Sequence, residues 1–431
     1  MIFLLLLSLI VATVVECSLK IDFEVHKASF NPHLMKRSSP VLSIINNKSL
    51  YITSLAIGSN KDPISVSIDT GSADLWVMGS DVTCFDTSEL HVDGAPSLPE
   101  IFDDINPDYS CTANGTFDTA NSTTFKSTDD NFVIGYTDGS AAIGKWGIDS
   151  VQFGNSTINE LRLGIASQSS VSDGILGIGI PDGYDNFPIQ LKNQKLIDKV
   201  AYSVYLNSSD AIGGTVLFGA IDHAKYEGAL TTVPLTSDTL LSVNVTYENV
   251  NYSVILDTGS TFSIFPDTWI NDFGTLLNGT YDDNEEVYRI DCDSRDDFFE
   301  FEIGNASFAI PVEDFIVEND DVCYLAIMGN SVIGGDGILF GGDILRSIYL
   351  VYDLEDRTIS VAPVRYTDDE DIEELGNQTV AVDNSTVSTS QTSVLPTSQT
   401  SALSSTSSVN QARVIGSFTV STLMGFILTF I

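Results

Sequence analysis

Asp69-Thr70-Gly71-Ser72 recurs later in the chain as Asp257-Thr258-Gly259-Ser260. Each copy follows an alternating or apolar run, at positions 64–68 and 252–256, that predicts a β-strand. A second string follows each turn at a distance: Asp-Gly-Ile-Leu-Gly-Ile-Gly begins at position 173 and Asp-Gly-Ile-Leu-Phe-Gly-Gly at position 336. Because both strings occur in the same order in both halves, we predict two related lobes.

The rest of the chain up to about position 366 favours the same class. Short runs rich in Val, Ile, Tyr, Phe and Thr alternate with Gly, Asn and Asp, which is typical of β-strands and their turns. Helical stretches are few, and residues 188–200 and 344–347 are the candidates. The predicted fold class is therefore mostly β, with an N-terminal lobe at 38–228 and a C-terminal lobe at 229–366.

The repeated turns suggest a specific chemistry. A single Asp-Thr-Gly turn is an ordinary turn sequence, but two copies related by a pseudo-twofold axis would set two carboxylates face to face. Like charges at that range do not both ionise easily, so the pair would share one proton. Such a pair can take a proton from a bound water and protonate a departing amine. This chemistry requires no metal and no cofactor, and we predict neither.

The other residues of the turns suit this chemistry. Glycines at 71 and 259 would let the backbone approach the carboxylates closely, and the Thr and Ser hydroxyls could donate hydrogen bonds that fix them. The predicted supporting residues are Thr70, Gly71, Ser72, Thr258, Gly259 and Ser260.

Composition excludes two broad classes. The 431 residues include 59 acidic and 19 basic side chains, for a net charge of -40, and 43% are hydrophobic. That apolar fraction excludes general disorder. A chain so acidic would be repelled by polyphosphate, so we expect polypeptide partners and no nucleic acid.

The N-terminus has the features of a secreted protein. Residues 2–15 are almost wholly apolar but too short to span a bilayer, which takes about 20 residues. We therefore predict a signal peptide at 1–17, rather than a membrane span. A basic-leaning segment at 18–37 ends in Lys36-Arg37, which predicts a propeptide removed after that pair.

The C-terminus changes character after Pro363. An acidic run leads into a Ser/Thr-rich segment, which predicts a stalk at 367–410 without a core of its own. Residues 411–431 then predict a signal for a glycosylphosphatidylinositol (GPI) anchor, with a simple membrane tail as the alternative. Asn410, followed by Gln411 and Ala412, fits the attachment site, whereas a longer spacer would favour 404–408. We therefore expect the protein at the cell surface, in the plasma membrane or linked to the wall.

Cysteines and sequons agree with a secretory route. Loss of Cys17 leaves Cys84, Cys111, Cys292 and Cys323, which permit three connectivities. We favour the local pairs Cys84 with Cys111 and Cys292 with Cys323, because each closes one loop within one half. Eleven Asn-x-Ser/Thr sequons predict glycosylation, at Asn47, Asn114, Asn121, Asn155, Asn207, Asn244, Asn251, Asn278, Asn305, Asn377 and Asn384.

Over residues 48–365 the sequence resembles the pepsin-like aspartic proteases, and specifically the fungal, surface-anchored yapsin group. The resemblance rests on both Asp-Thr-Gly-Ser turns, the Ala-Asp-Leu-Trp-Val run after the first, both Asp-Gly-Ile-Leu strings and the closing region 342–363. It implies a bilobal fold with a cleft between two related β lobes, and Asp69 and Asp257 as catalytic residues. It also implies that Thr70 and Thr258 interlock behind the pair.

The resemblance further implies a β-hairpin flap over the cleft. Residues 133–140 form an apolar strand that runs into a Gly-containing turn, and Tyr136 matches the family's flap tyrosine. Trp76 would be its hydrogen-bond partner through the indole N–H; ordinary core packing is the alternative for both aromatic residues. Tyr136, Asp138, Gly139 and Thr261 are the predicted substrate-binding residues.

Specificity is less constrained by the sequence. Asp138 stands where a small neutral residue is found in mammalian pepsins, and fungal relatives with aspartate there accept Lys or Arg before the cut. The segment between Cys84 and Cys111 carries seven acids and no Lys or Arg. We therefore expect an endopeptidase, a monomer, that prefers Lys/Arg sites in secreted or cell-surface polypeptides. The alternatives are a broad pepsin-like secreted protease and a catalytically idle, GPI-anchored wall glycoprotein.

Overall fold

The computed structural model describes residues 18–27, 49–85, 110–136, 140–209, 211–282, 287–293, 297–319, 322–331 and 337–376. All of them belong to one compact unit. Among these residues the strands are β1 Leu19–Lys27, β2 Ser49–Ile57, β3 Asp62–Asp69, β4 Leu75–Cys84, β5 Lys126–Gly135, β6 Ala141–Phe153, β7 Ser156–Ser169, β8 Gly174–Gly177, β9 Ala201–Tyr205, β10 Gly213–Phe218, β11 Ala220–Asp222, β12 Thr231–Pro234, β13 Ser242–Tyr247, β14 Val250–Leu256, β15 Ile264–Phe265, β16 Thr280–Asp282, β17 Val287–Ile290, β18 Phe298–Ile303, β19 Ala306–Pro311, β20 Ile316–Asn319, β21 Val322–Leu325, β22 Met328–Gly329, β23 Leu339–Phe340, β24 Ile348–Asp353, β25 Thr358–Pro363 and β26 Ile372–Glu374.

The strands form four sheets, and this strand content confirms the mostly β prediction. The largest sheet runs β12-β25-β24-β9-β10-β1-β2-β3-β8-β4-β7-β6-β5. The second runs β19-β18-β13-β14-β23-β15-β22, the third β16-β17-β21-β20, and β11 pairs with β26. Strands from both halves of the chain therefore share the largest sheet, in which β9 pairs antiparallel with both β10 and β24.

The two acidic turns leave strands with the same local topology. Strand β3 ends at Asp69 and pairs in parallel with β8, which carries the first Gly-Ile-Leu-Gly string. Strand β14 ends just before Asp257 and pairs in parallel with β23, which lies in the second string. The alternating residues Ile64, Val66 and Ile68 of β3 are buried, as the period-two pattern predicts. The repeat read in the sequence is thus also a repeat of strand pairing.

Helices are short. Among the described residues the α-helices are α1 Phe187–Asn193, α2 Asp267–Leu276 and α3 Gly342–Leu345. The helix expected at 188–200 ends at Asn193, and Lys195 just after it has a φ of 60°. Sequence analysis missed α2, although Asp267 lies in its first turn and Trp269, Ile270 and Phe273 form a buried face.

Strand β1 lies inside the segment that the sequence predicts to be a propeptide. It pairs antiparallel with β10 on one side and β2 on the other. Its residues Ile21 and Phe23 are buried, and the Phe23 ring meets Tyr51 edge-on at a centroid distance of 5.1 Å. Residues 19–27 are therefore part of the largest sheet.

Candidate active site

The two acidic turns bind their own carboxylates in matching ways. The Gly71 N–H donates to Asp69 Oδ1 at 2.7 Å, and the Gly259 N–H donates to Asp257 Oδ1 at 2.7 Å. The Ser72 hydroxyl donates to Asp69 Oδ2 at 2.5 Å, and the Ser260 hydroxyl to Asp257 Oδ2 at 2.8 Å. Each carboxylate therefore has one oxygen held by a backbone amide and the other by a serine, as the sequence suggests.

The carboxylates of Asp69 and Asp257 also lie next to each other. The Gly71 N–H, already bonded to Asp69, lies 3.1 Å from Asp257 Oδ1. A Cβ placed on Gly259 would lie 2.5 Å from Asp69 Oδ1 and 3.1 Å from Asp257 Oδ1. Only glycine fits at 259 without displacing these oxygens, so the structure brings together the two acids that sequence analysis pairs.

The two threonines interlock behind the acids. The Thr70 hydroxyl accepts from the Thr258 N–H at 2.9 Å and donates to the Leu256 carbonyl at 2.9 Å. In turn the Thr258 hydroxyl accepts from the Thr70 N–H at 3.2 Å and donates to the Ile68 carbonyl at 3.1 Å. Each turn is therefore tied to the strand end that carries the other. The expectation that the threonine hydroxyls would donate to the carboxylates was wrong, because both hydroxyls donate to backbone carbonyls.

Burial decides the electrostatics of the pair. Asp69 is 4% and Asp257 2% exposed. Burial raises the pKa of the Asp257 carboxyl well above its usual range, and the neighbouring Asp69 carboxylate raises it further. Two carboxylates in this arrangement favour holding one proton between them, which suits a site that must both accept and donate protons.

The two aromatic residues that the resemblance pairs, Trp76 and Tyr136, are in contact. The Trp76 indole Nε1–H donates to the Tyr136 hydroxyl at 2.8 Å. At the flap base the Tyr136 N–H donates to the Ser140 carbonyl at 2.8 Å. Asp138 and Gly139 lie outside the described residues. Thr261 follows the second turn directly and is 8% exposed.

Both disulfides join the predicted local pairs. Cys84 bonds Cys111 and Cys292 bonds Cys323, with Cα separations of 5.7 and 5.3 Å. Cys84 ends β4, so the acidic segment between the first two cysteines begins at the end of that strand. Residues 86–109 of this segment lie outside the described residues.

Two tyrosines behind the threonines were not found from the sequence. The Tyr352 hydroxyl donates at 3.1 Å to the Leu256 carbonyl, which the Thr70 hydroxyl also uses. The Tyr202 hydroxyl donates at 2.9 Å to the carbonyl of Ile178. The Tyr202 and Tyr352 rings stack with their centroids 5.2 Å apart. Tyr202 and Tyr352 are directly paired across β9 and β24. No short motif marks them, because their position depends on pairing between distant strands.

The described sequon asparagines differ in environment. Asn121, Asn155, Asn244, Asn251, Asn278 and Asn305 are exposed. Asn114 and Asn207 are half-buried, and Asn114 Nδ2 donates to Asp173 Oδ1 at 2.5 Å. Asn47, Asn377 and Asn384 lie outside the described residues, as does Asn410, the predicted anchor site.

Within the part of the chain that the structure describes, no group of three or more His, Cys, Asp or Glu side chains is arranged to hold a metal ion. Across the same residues, no helix has both the length and the apolar character needed to cross a membrane.

Comparison with known proteins agrees with the geometry. Residues 50–364 match the family model described as "Eukaryotic aspartyl protease". The chain is 60% identical to secreted aspartic protease 10 of Candida albicans over 86% of this chain and 83% of the relative. It is 34% identical to candidapepsin of Candida tropicalis, over 82% and 90% respectively. It is 31% identical to secreted aspartic protease 9 of Candida albicans, over 86% and 89%.

The matched region contains both acidic turns, the interlocked threonines and the Trp76–Tyr136 pair. The chain therefore belongs to the pepsin-like eukaryotic aspartyl protease family and is an aspartic endopeptidase.

Proposed function

We propose that Asp69 and Asp257 are the catalytic pair of this endopeptidase and that it prefers peptide bonds next to Lys or Arg. The observation that carries the first part is the Gly71 N–H, which lies within reach of one oxygen of each acid. A water held between two such carboxylates is within reach of both. The geometry thus supports a water-activating site that needs only its own side chains.

The proposed reaction balances within the pair. The ionised carboxylate takes a proton from the water, whose oxygen then bonds to the carbonyl carbon of the scissile amide. The protonated carboxyl stabilises the carbonyl oxygen in the resulting tetrahedral intermediate. The proton taken from the water passes to the amide nitrogen, the carbon–nitrogen bond breaks, and the pair again holds one proton.

Single amide substitutions test this assignment. Asp69→Asn and Asp257→Asn should each lower kcat by roughly 10³-fold or more, because each removes an ionisable partner. Asp238→Asn, at an exposed site, is the control with unchanged kcat. Thermal unfolding and the binding of pepstatin, a transition-state mimic for this family, separate loss of chemistry from loss of fold. Turnover within tenfold of wild type in either Asn variant would refute the assignment.

The preference for basic sites is supported by charge and by strand register. Cys84, at the root of the acidic segment, pairs with Ser169 of β7, and Ser169 pairs with Ala142 of β6. Ala142 in turn pairs with Ile134, two residues before Tyr136. The acidic segment therefore begins at the same level of the sheet as the end of β5 and the start of β6, the two strands that flank the predicted flap. Carboxylates placed there would attract a cationic substrate side chain and disfavour an apolar one.

A peptide library measures this preference directly. We expect wild-type cleavage to be enriched for Lys or Arg before the cut, and Asp138→Asn to lower that enrichment by roughly tenfold, which is about 1.4 kcal/mol. A paired Asp103→Asn, Asp104→Asn variant tests the acidic segment separately. Equal cleavage of basic and apolar sites by wild type would instead support the broad pepsin-like alternative. A protein with no turnover and no pepstatin binding would support the idle wall glycoprotein.

We also propose that the protein is secreted, which is supported by the relatives named as secreted proteases. In this proposal the two lobes form a monomer, which a Ser/Thr-rich stalk connects to a GPI anchor. Release of the membrane-bound protein from wall-free cells by a phospholipase specific for phosphatidylinositol would support the anchor, and retention in the membrane after this treatment would contradict it. Light scattering tests the monomer.

The propeptide remains a prediction that β1 makes easy to test. Cleavage after Arg37 would cut the covalent link between β1 and β2, and dissociation of the cleaved segment would leave β2 and β10 each without a paired strand. Mass spectrometry of the secreted form, native and denatured, should show a chain beginning at Ser38. A covalent chain that still contains residues 19–27 would contradict removal.

A further inference from the structure

Arg162 of β7 lies between two aromatic rings. Its guanidinium carbon is 3.5 Å from the centroid of the Trp146 ring and 4.5 Å from that of Tyr184. The side chain is 30% exposed, so much of the cation is out of water and its attraction to the ring faces is only partly screened. A planar guanidinium can stack in this way, whereas a lysine ammonium cannot.

The same guanidinium pairs with a carboxylate of the first acidic turn. Arg162 Nη1 lies 3.5 Å from Asp74 Oδ1, and the Tyr184 hydroxyl donates to the same oxygen at 2.5 Å. The Asp74 side chain is 18% exposed. Burial raises the pKa of Asp74, and the Tyr184 hydrogen bond and the Arg162 charge oppose that rise. Arg162 and Tyr184 thus favour the ionised carboxylate at a site where burial disfavours it.

Asp74 is close in sequence and in structure to the catalytic acid. It lies two residues after Ser72, whose hydroxyl binds Asp69. The Asp74 carbonyl accepts from the Gly177 N–H at 3.0 Å, and a Cβ on Gly177 would lie 2.5 Å from the Asp74 nitrogen. The turn is packed so closely here that movement of Asp74 would be passed on to Ser72.

On its other side Arg162 contacts residues that lead to the flap. Trp146 meets Phe132 at 4.9 Å, and Phe132 meets Trp76 at 5.9 Å. Trp76 carries the hydrogen bond to Tyr136. Arg162 therefore contacts both Asp74, two residues after the first acidic turn, and Trp146, which belongs to the aromatic cluster that includes Trp76.

We propose that Arg162 is a positioning residue, which aligns the Asp69 turn through Asp74 and supports the flap through Trp146. This inference rests on the proposed role of Asp69 and goes beyond it by naming a residue outside the acidic turns on which turnover depends.

The test compares Arg162→Met with Arg289→Met. Arg289 is a matched control, because it also pairs with a carboxylate, Asp282, and lies 5.7 Å from an aromatic ring, Tyr324. We expect Arg162→Met to lower kcat roughly 10- to 100-fold, since small misplacements of catalytic groups cost that much, while KM changes by less than about threefold. Arg289→Met should leave both constants unchanged.

Arg162→Lys and Tyr184→Phe are conservative variants that separate a loss of positioning from a loss of the folded state. Lysine keeps the charge but loses the stack, and phenylalanine keeps the ring but loses the hydroxyl bond to Asp74. Both should fold and both should lower kcat, by about three- to tenfold, because each removes part of the arrangement. If kcat for Arg162→Met falls no further than for Arg289→Met, or if only Tm falls, the proposal is overturned.

Hydrogen exchange keeps the proposal testable apart from turnover. The amides of Gly71, Ser72 and Gly177 are bonded within or next to the turn. They should exchange at least about tenfold faster in Arg162→Met than in Arg289→Met, because local opening becomes easier. Faster exchange in a protein whose wild type shows no turnover would refute the proposed function but support the role of Arg162. Unchanged exchange would overturn that role even in an active enzyme.

Discussion

The two acidic turns hold their own acids alike but are supported by different chemistry one layer further out. Beside the first turn the supporting carboxylate is Asp74, two residues after Ser72, which pairs with the Arg162 cation and accepts a hydrogen bond from the Tyr184 hydroxyl. The corresponding position of the second turn is Phe262. Its supporting carboxylate is Asp343 of α3, which accepts from the Ser263 N–H at 2.9 Å and the Ser263 hydroxyl at 2.6 Å.

This difference separates two ways of placing a carboxylate out of water. Because Asp74 pairs with Arg162, the first turn is sensitive to loss of that one cation. Asp343 is 1% exposed, and burial raises its pKa to about 6, although its hydrogen bonds and the Arg346 charge oppose that rise. The second support therefore depends on pH. The two acidic turns therefore hold Asp69 and Asp257 in matching hydrogen bonds although the carboxylates that support the turns have different partners.

The largest expected effect comes from a substitution in the second turn that would push Asp69 and Asp257 apart. Gly259→Ala places a methyl group 2.5 Å from Asp69 Oδ1 and 3.1 Å from Asp257 Oδ1, so the acids must separate. We expect kcat/KM to fall roughly 10³-fold, because water activation needs both carboxylates on one molecule. Gly337→Ala, where a Cβ meets nothing within 4 Å, is the control. Steady-state kinetics with active-site titration checks this, and a Gly259→Ala enzyme within tenfold of wild type would show that the acids have room to move apart.

A smaller effect concerns the pH dependence of the support that Asp343 gives to the second turn. Because the pKa of Asp343 is raised from 3.8 to about 6 on folding, the folded state binds its proton more tightly than the unfolded state. Its contribution to stability is complete below pH 3.8 and is lost as the pH rises to about 6, and a difference of this size corresponds to about 3 kcal/mol. Asp343→Asn removes this titration, so its free energy of unfolding should fall less between pH 4 and pH 7 than that of the wild type.

Denaturant unfolding at several pH values measures that slope, with the exposed Asp238→Asn as control. Slopes that are equal in wild type and Asp343→Asn would show that other groups carry the pH dependence. The slope decides the question, since Asn also changes the hydrogen bonds to Ser263 and so shifts the whole curve.

Local signals predicted much of the site. The acidic turns and their serine and glycine contacts follow from a motif that appears twice, because each contact joins residues within one short string. The threonine exchange required the family resemblance, since the motif alone suggested that the threonine hydroxyls would bond the carboxylates. The cysteine pairs were correct for a similar reason, since each closes one short loop. Trp76 and Tyr136 required the family resemblance, because nothing in their own neighbourhood distinguishes them from core aromatics.

The residues that were missed depend on contacts between distant strands. No motif in the sequence marks Arg162, because its environment consists of Trp146, Tyr184 and Asp74, which come from other parts of the chain. Tyr202 and Tyr352 meet because β9 and β24 pair across the two halves of the chain. A basic-leaning segment suggested a propeptide, but its strand position in the sheet depends on β2 and β10, which the local pattern does not specify.

The smallest expected effect is the difference in stability between variants of the two interlocked threonines. Thr70→Val and Thr258→Val each remove a hydroxyl that accepts a hydrogen bond from one backbone N–H and donates one to a backbone carbonyl. Each substitution should therefore lower the free energy of unfolding by about 1–2 kcal/mol. The Leu256 carbonyl keeps the Tyr352 hydroxyl as a donor after Thr70→Val. We therefore expect Thr70→Val to cost less than Thr258→Val, with Thr232→Val on an exposed strand as control. Urea unfolding orders the three variants. A larger cost for Thr70→Val would mean that Tyr352 does not compensate for the missing hydroxyl, and that the first turn relies on the threonine exchange more than the second does.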